Sequence, residues 1–151
     1  MVLAIARPDC EIVLIESTHK KADFLGAAIK ELGIQNAAVL PLRSEEVGHG
    51  KMRESFDVAT ARAVALMPVL VEWLLPLVKV GGYLLAMKGP KAVDELASAK
   101  RPIKALGGGS CQILTPGLHG AEGHIIIKIP KIARTPAKFP RNPAQAKGKP
   151  I

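Results

Sequence analysis

Aromatic side chains are scarce in this sequence: one Trp, one Tyr and three Phe make up 3% of its 151 residues. Any stacking surface is thereby confined to a few rings, with Phe139 the main candidate. Cysteine is scarcer still. Cys10 and Cys111 lie far apart, one in a turn beside Pro8 and the other in a strand-like run, with no second thiol near either. That spacing excludes a disulfide framework or a metal knuckle and fits a reduced, cytoplasmic compartment. The four histidines, His19, His49, His119 and His124, have no metal-ligand spacing, and no nucleophile elbow of the Gly-x-Ser-x-Gly kind occurs. Gly107-Gly108-Gly109 lacks the Lys-Ser/Thr pair of a phosphate loop, so hydrolysis and nucleotide cleavage lose ground. Long apolar runs are missing too. The longest, Ala63 to Val80, is interrupted by Pro68, Glu72, Pro76 and Lys79, which argues against a membrane span. No charged leader precedes Val2-Leu3-Ala4-Ile5-Ala6, which argues against a secretory signal.

What is present is apolar content and positive charge. Hydrophobic residues are 48% of the chain and the formal net charge is +8. One domain with one core is expected over residues 1–130. From Lys131 to Ile151, Pro, Lys, Arg and Ala dominate without periodicity, which predicts a basic tail and a polyanionic partner. Within the domain, Ile12 to Ile15 is apolar on both faces, the pattern of an interior parallel strand. Ser17 or Thr18 can cap the helix that follows, in which Ala22, Leu25, Ala28, Ile29 and Leu32 share a face and Gly33 is placed to stop it. Strands are then expected at Ala37 to Leu42, Phe56 to Ala61 and Tyr83 to Met87. A helix is expected at Pro68 to Val78, and another at Pro90 to Ala105, broken near Pro102. Strands alternating with helices at this spacing imply an α/β fold with a mostly parallel sheet. Ser110 to Leu114 and His124 to Ile129 have no helical pattern between them, so an antiparallel pair is expected there.

In an open α/β sheet, ligands lie beyond the carboxyl ends of the strands. Glu16 closes the first strand. Its carboxylate either accepts from adjacent ribose hydroxyls or begins the next helix, where negative charge suits the dipole. The second strand end leads into Arg43-Ser44-Glu45-Glu46 and the third delivers Arg62. A permanently charged fork directly after a buried strand calls for a carboxylate or phosphate partner. Asp57 and Thr60 read as loop hydrogen-bonding groups rather than as chemistry. Lys88, before Gly89, adds a cation to the same edge.

Five segments, "IVLIESTHKKADFL", "RSEE", "FDVATARAVA", "LLAMKG" and "FPRNPAQAKGKPI", stand in the order and spacing of one family. Through them the chain, from Leu3 to Ile151, resembles the small-subunit rRNA guanine-N7 methyltransferases, RsmG, also called glucose-inhibited division protein B. The resemblance implies a Rossmann-like S-adenosylmethionine-dependent methyltransferase sheet, mostly parallel with a C-terminal antiparallel strand, and methyl transfer to guanine N7 of 16S rRNA. By position, Glu16 matches the ribose-binding acid, with Ser17 beside it. Ser44 and Glu45 match the pair beside the adenine, and Arg62 matches a cofactor-contacting arginine. Lys20 and Lys21 match a lysine pair that solvated helix positions explain equally well. Lys88, Arg134, Lys138, Arg141, Lys147 and Lys149 are then the expected RNA contacts. No metal and no membrane partner is implied.

The family also carries, ahead of the segment matched by Leu3 to Pro8, a helical region, a strand and a Gly-rich loop that wraps the methionine part of the cofactor. The sequence before Leu3 has no room for them, so a sheet without its first strand and Gly-rich loop is expected. The strands Ile12 to Ile15 and Phe56 to Ala61 would then lack the neighbour that separates them. Two other readings stand beside this one. The chain is a non-catalytic, basic RNA-binding remnant, or it is another α/β nucleoside-cofactor enzyme such as a short dehydrogenase, which lacks support because no dinucleotide glycine fingerprint precedes the first strand.

Overall fold

The computed structural model describes residues 1–89, 92–117, 119, 120, 122–149 and 151. The chain divides into two compact units, Met1–Glu46 and Val47–Ile151.

In the first unit, α1 (Val2–Ala6) leads to β1 (Ile12–Ile15), α2 (His19–Glu31) and β2 (Ala37–Leu40). The two strands pair in parallel, with Ile12 opposite Ala37 and Ile15 opposite Leu40, and α2 lies against β2. The helical face appears as expected at Ala22, which is buried, and at half-buried Leu25, Ala28 and Ile29, while Leu32 is exposed. Gly33 follows the helix with φ +62°, the left-handed conformation of a C′ residue. The Asn36 amide faces the carbonyls of Ala4, Arg7 and Cys10 at 3.0, 3.1 and 2.8 Å, which satisfies the open end of α1. β1 has one strand neighbour among the described residues, and all four of its residues are half-buried, so it is not enclosed on both faces as the apolar run alone predicts.

The second unit opens within α3 (Ser44–His49) and continues through β3 (Phe56–Arg62), α4 (Met67–Leu74), a 3₁₀ turn at Leu75–Leu77, β4 (Val78–Lys88) and α5 (Ala92–Ala105). It closes with β5 (Gln112–Leu114), β6 (Ile125–Pro130) and α6 (Pro143–Gly148). Its sheet has the order β3-β4-β6-β5. β3 and β4 are parallel, whereas β6 runs antiparallel to both β4 and β5, which is the pairing expected for the last two strands. β1 and β3 belong to separate sheets, each with a single strand neighbour among the described residues.

Three boundaries depart from the sequence reading. Helix α4 ends at Leu74, and Val78 already pairs with Phe56. Gly81 and Gly82 do not turn the chain into a new strand but bulge one long strand, so that Val58 pairs with Tyr83. Glycine is required there because Gly81 has φ +92° and a Cβ on Gly82 would stand 2.3 Å from the Asp57 carbonyl oxygen. Helix α5 continues through Pro102, which is buried together with Ala99 and Ile103; packing outweighs the missing hydrogen bond. The expected start of that helix at Pro90 lies outside the described residues.

The segment expected as a basic tail packs against the rest of the second unit. Lys131 and Thr135 are buried, Phe139 joins the core formed by Leu70, Leu84, Ile127 and Ile129, and Ala146 packs with Val69 and Trp73. Phe139 is 5% exposed, so its ring is not available for stacking. Asn142 caps α6 by accepting the Gln145 N–H at 2.9 Å, and Pro143 occupies the first turn.

Candidate cofactor and RNA site

Because β1 and β2 are parallel, their carboxyl ends meet at one edge of the first unit. The Glu16 N–H donates to the Leu40 carbonyl at 3.1 Å, setting Glu16 beside the chain that leaves β2 for Arg43, Ser44 and Glu45. One Glu16 oxygen accepts the Thr18 N–H at 2.8 Å, and Thr18 is the N-cap of α2 without a side-chain cap bond of its own. The acid thus serves the helix start through one oxygen. Its other oxygen accepts no hydrogen bond of ordinary geometry among the described residues. The Thr18 N–H, aided by the Thr18 hydroxyl, the charge of Lys21 and the Ser17 N–H, holds the Glu16 carboxyl below its ordinary range, so the group stays an acceptor-only carboxylate. Ser17 is exposed beside it.

At the second strand end, Glu46 reaches back to accept the Arg43 N–H at 2.7 Å, one half of a capping box. This fixes the start of α3, where the Ser44 hydroxyl donates to the Glu45 carboxylate at 3.2 Å. Glu45 is buried and Ser44 half-buried. Glu16, Ser17, Ser44 and Glu45 therefore share one strand edge.

In the second unit the carboxyl ends of β3 and β4 also meet, with Arg62 opposite Met87. Arg62 is exposed and makes no ion pair or side-chain hydrogen bond among the described residues. The next residue, Ala63, has φ +55°, a left-handed conformation unusual for a residue with a Cβ. Lys88 has a different role from the one expected. Its side chain is 11% exposed and its ammonium donates to the Ala65 carbonyl and to Glu95, both at 2.7 Å. The same Glu95 oxygen accepts the Met67 N–H at 2.9 Å. The pair ties the chain after β3 to the end of β4, and it commits two of the ammonium's three N–H donors and neutralises its charge within the fold.

Arg141 is committed in the same way. Its guanidinium makes two bonds to Glu72, at 2.7 and 2.6 Å, and a third to the Lys149 carbonyl at 2.9 Å. Glu72 is fully buried. Arg134, Lys138, Lys147 and Lys149 remain exposed. The sequence reading did not find the groups that hold this segment down. Arg53 donates to the carbonyls of Gly48, Phe139, Thr135 and Pro136 at 2.7, 2.7, 2.7 and 3.2 Å. Lys131, wholly buried, contacts the Leu75 carbonyl at 2.7 Å, Glu54 at 3.2 Å and the Thr135 hydroxyl. The available signal was a lone acid, Glu72, inside an apolar helix, since a buried carboxylate demands a partner. No group of three or more His, Cys, Asp or Glu that could hold a metal occurs among the described residues, and none of the described helices is long and apolar enough to cross a membrane.

A parallel strand pair with polar carboxyl ends in each unit, extended in the second by antiparallel strands, is an α/β arrangement of the S-adenosylmethionine-dependent methyltransferase type. A 16S rRNA (adenine(1408)-N(1))-methyltransferase from Catenulisporales acidiphilia superimposes with a TM-score of 0.67 over 89% of this chain and 79% of that one, at 13% identity. That likeness is one of fold. Sequence carries the finer assignment. Residues 1–125 match the model of the family described as rRNA small subunit methyltransferase G, GidB. Curated proteins of that name from Lactobacillus acidophilus and Moorella thermoacetica are 41% and 42% identical over 153 aligned residues, covering 99% and 100% of this chain. The chain belongs to the rRNA small subunit methyltransferase G family. It spans 63% and 64% of the length of those two relatives.

Proposed function

We propose that this chain acts in S-adenosylmethionine-dependent methylation of guanine N7 in 16S rRNA of the small ribosomal subunit, in the cytoplasm. The carrying observation is the shared edge of β1 and β2, where an ionised Glu16 with one oxygen outside any hydrogen bond of ordinary geometry among the described residues stands beside the chain leading to Ser44 and Glu45. These residues fit the adenosine half of the cofactor. A carboxylate with free lone pairs suits two vicinal hydroxyls, and a fixed Ser-Glu pair at the start of α3 offers both donor and acceptor to an adenine edge.

When bound, S-adenosylmethionine supplies a methyl group on a positively charged sulfur, already activated for transfer. Guanine N7 is an exposed lone pair, so the protein's task is alignment and exclusion of water rather than proton removal. Glu16 and Ser17 would hold the ribose, Ser44 and Glu45 the adenine. Arg62 is proposed as a further cofactor contact on the family likeness, supported by its lack of a protein partner. The exposed cations of the second unit, Arg134, Lys138, Lys147 and Lys149, suit rRNA phosphates. With so few exposed rings, affinity for rRNA should depend strongly on salt.

Calorimetric titration of the full chain with S-adenosylmethionine, beside Glu16→Ala and Arg62→Ala, tests the reading. Saturable binding that both variants lose supports it and leads to a methylation assay on unmodified 16S rRNA. No binding by a demonstrably folded chain overturns the cofactor assignment. Salt-dependent rRNA binding would then remain as evidence for a non-catalytic RNA-binding chain, the reading favoured by the unpaired cations alone.

A further inference from the structure

Most cations of the second unit that approach a carboxylate are neutralised by it: Lys79 by Asp57, Lys88 by Glu95, Lys131 by Glu54 and Arg141 by Glu72. A different situation holds on α5. Lys100, Arg101 and Lys104 are all exposed, while the alternate face of the same turns, Ala99, Pro102 and Ile103, is buried. The three cations and Ala105 line one open depression of about 610 Å³. No acid lines it, and none of the three forms an ion pair among the described residues. The acids of this helix, Asp94 and Glu95, lie in its first turn, and Glu95 is held by Lys88.

Helix electrostatics account for only part of this arrangement. A cation in the last turn is favoured by the macrodipole, which covers Lys104, but the effect fades within one turn. Like charges at i and i+4, such as Lys100 and Lys104, destabilise a helix. The macrodipole favours Lys104 alone, and no acid among the described residues pairs with Lys100 or Arg101, so a bound anion is the natural counterpart. We infer that the α5 depression is a docking surface for the phosphodiester backbone of rRNA, with Lys100, Arg101 and Lys104 each facing a phosphate. The helical rise sets Lys100 and Lys104 about 6 Å apart along the axis, comparable with the spacing of successive phosphates on one strand. An acidic protein is the poorer occupant, because the depression has no aromatic or large aliphatic anchor of the kind that carries protein interfaces. The inference rests on the rRNA reading above and extends it to a surface that the sequence did not single out.

The test is binding of the full chain to in vitro transcribed 16S rRNA as a function of salt, with Lys100→Gln/Lys104→Gln compared with Lys30→Gln/Lys51→Gln, which removes equal charge from exposed positions elsewhere. Each lost phosphate contact lowers the slope of log affinity against log salt by about 0.7 to 0.9. The α5 pair should therefore lower it by about 1.4 or more, so that the fall in affinity between about 50 and 200 mM salt shrinks about sevenfold, while the control pair leaves the slope unchanged. Relief of like-charge repulsion keeps the α5 variant folded, as a thermal melt verifies, and Arg101→Gln alone provides a second variant with about half the effect. An unchanged slope in the α5 variants, or an equal drop in the control, overturns the proposal. Loss of polyglutamate binding with rRNA binding intact also overturns it, by assigning the depression to an acidic protein. If the parent chain binds no rRNA, the proposal and the rRNA part of the functional reading fall together, whereas the cofactor titration judges the rest.

Discussion

Replacing Arg141 by Ala removes both guanidinium bonds to Glu72, whose side chain is completely buried while that of Arg141 is 24% exposed. The two partners are therefore unequal. Glu72 left alone is a buried carboxylate that keeps only the Arg141 backbone N–H, at 2.9 Å. Stripping one member from a buried pair costs about 3 to 5 kcal/mol, and the surviving backbone bond places this case at the lower end, about 3 kcal/mol. Glu72→Gln leaves the guanidinium uncompensated instead, but Arg141 reaches water and the amide still accepts one bond, so about 1 to 2 kcal/mol is expected. Glu72→Leu with Arg141→Leu abolishes both charges and should cost less than either extreme, since apolar replacement of a buried pair is often neutral. Urea unfolding of the full chain, followed through the fluorescence of the single tryptophan, Trp73, reads the change directly, because Trp73 adjoins Glu72 in α4 and packs with Ala146 of α6. A cycle built from Glu72→Leu, Arg141→Leu and the double isolates the coupling, expected at about 2 kcal/mol. Singles that sum to the double, or an Arg141→Ala cost below about 1 kcal/mol, would refute the argument that this arginine anchors the C-terminal segment. A folded Arg141→Ala that lowers the salt slope of rRNA binding would return it to the phosphate-contacting set.

Burial pushes the Lys131 ammonium below its ordinary 10.5, against the hydrogen bond and charge of Glu54. Between the depressed value and 10.5 the unfolded chain binds the extra proton, so stability rises with pH through that window; Lys131→Met should lose this rise in urea midpoints measured against pH. Gly82→Ala would place a methyl 2.3 Å from the Asp57 carbonyl oxygen and 2.9 Å from Val78 Cγ1, costing about 2 to 3 kcal/mol in thermal or urea unfolding. Gly26→Ala, in α2 with nothing within 4 Å of the added Cβ, should instead stabilise by about 0.5 to 1 kcal/mol. Glu95→Ala frees the Met67 N–H at the start of α4, and loss of a cap worth about 1 kcal/mol should speed hydrogen exchange at Met67 several-fold; unchanged exchange would show that the Lys88–Glu95 pair does not fix this turn.

The parts of the fold that were legible in the sequence are those set by neighbours in the chain. The apolar run Ile12 to Ile15, the 3.6-residue recurrence from Ala22 and the glycine at position 33 each carry their own signal, and α2 with its stop follows from them. The antiparallel close of the sheet was legible because no helical pattern separates β5 from β6. The polar strand ends were legible for a related reason, since a parallel pair in register must bring its carboxyl ends to one edge, as Glu16 and the chain leading to Ser44 show. The C-terminal segment was not legible. Phe139 and Ala146 are isolated apolar residues among Pro, Lys and Arg, without a period, and the carboxylate that receives Arg141 lies 69 residues away in sequence. Summed charge cannot distinguish a cation held by such a distant acid from one left free for a partner. Lys88 and Arg141 looked like RNA contacts because their neighbours in sequence do not show Glu95 and Glu72 closing on them. Lys100, Arg101 and Lys104 drew no notice because three cations near a helix end are ordinary until the rest of the unit's charges have been paired off. A basic surface is therefore what remains after long-range pairing, and among the described residues that remainder includes α5 and the exposed lysines and arginine between Arg134 and Lys149.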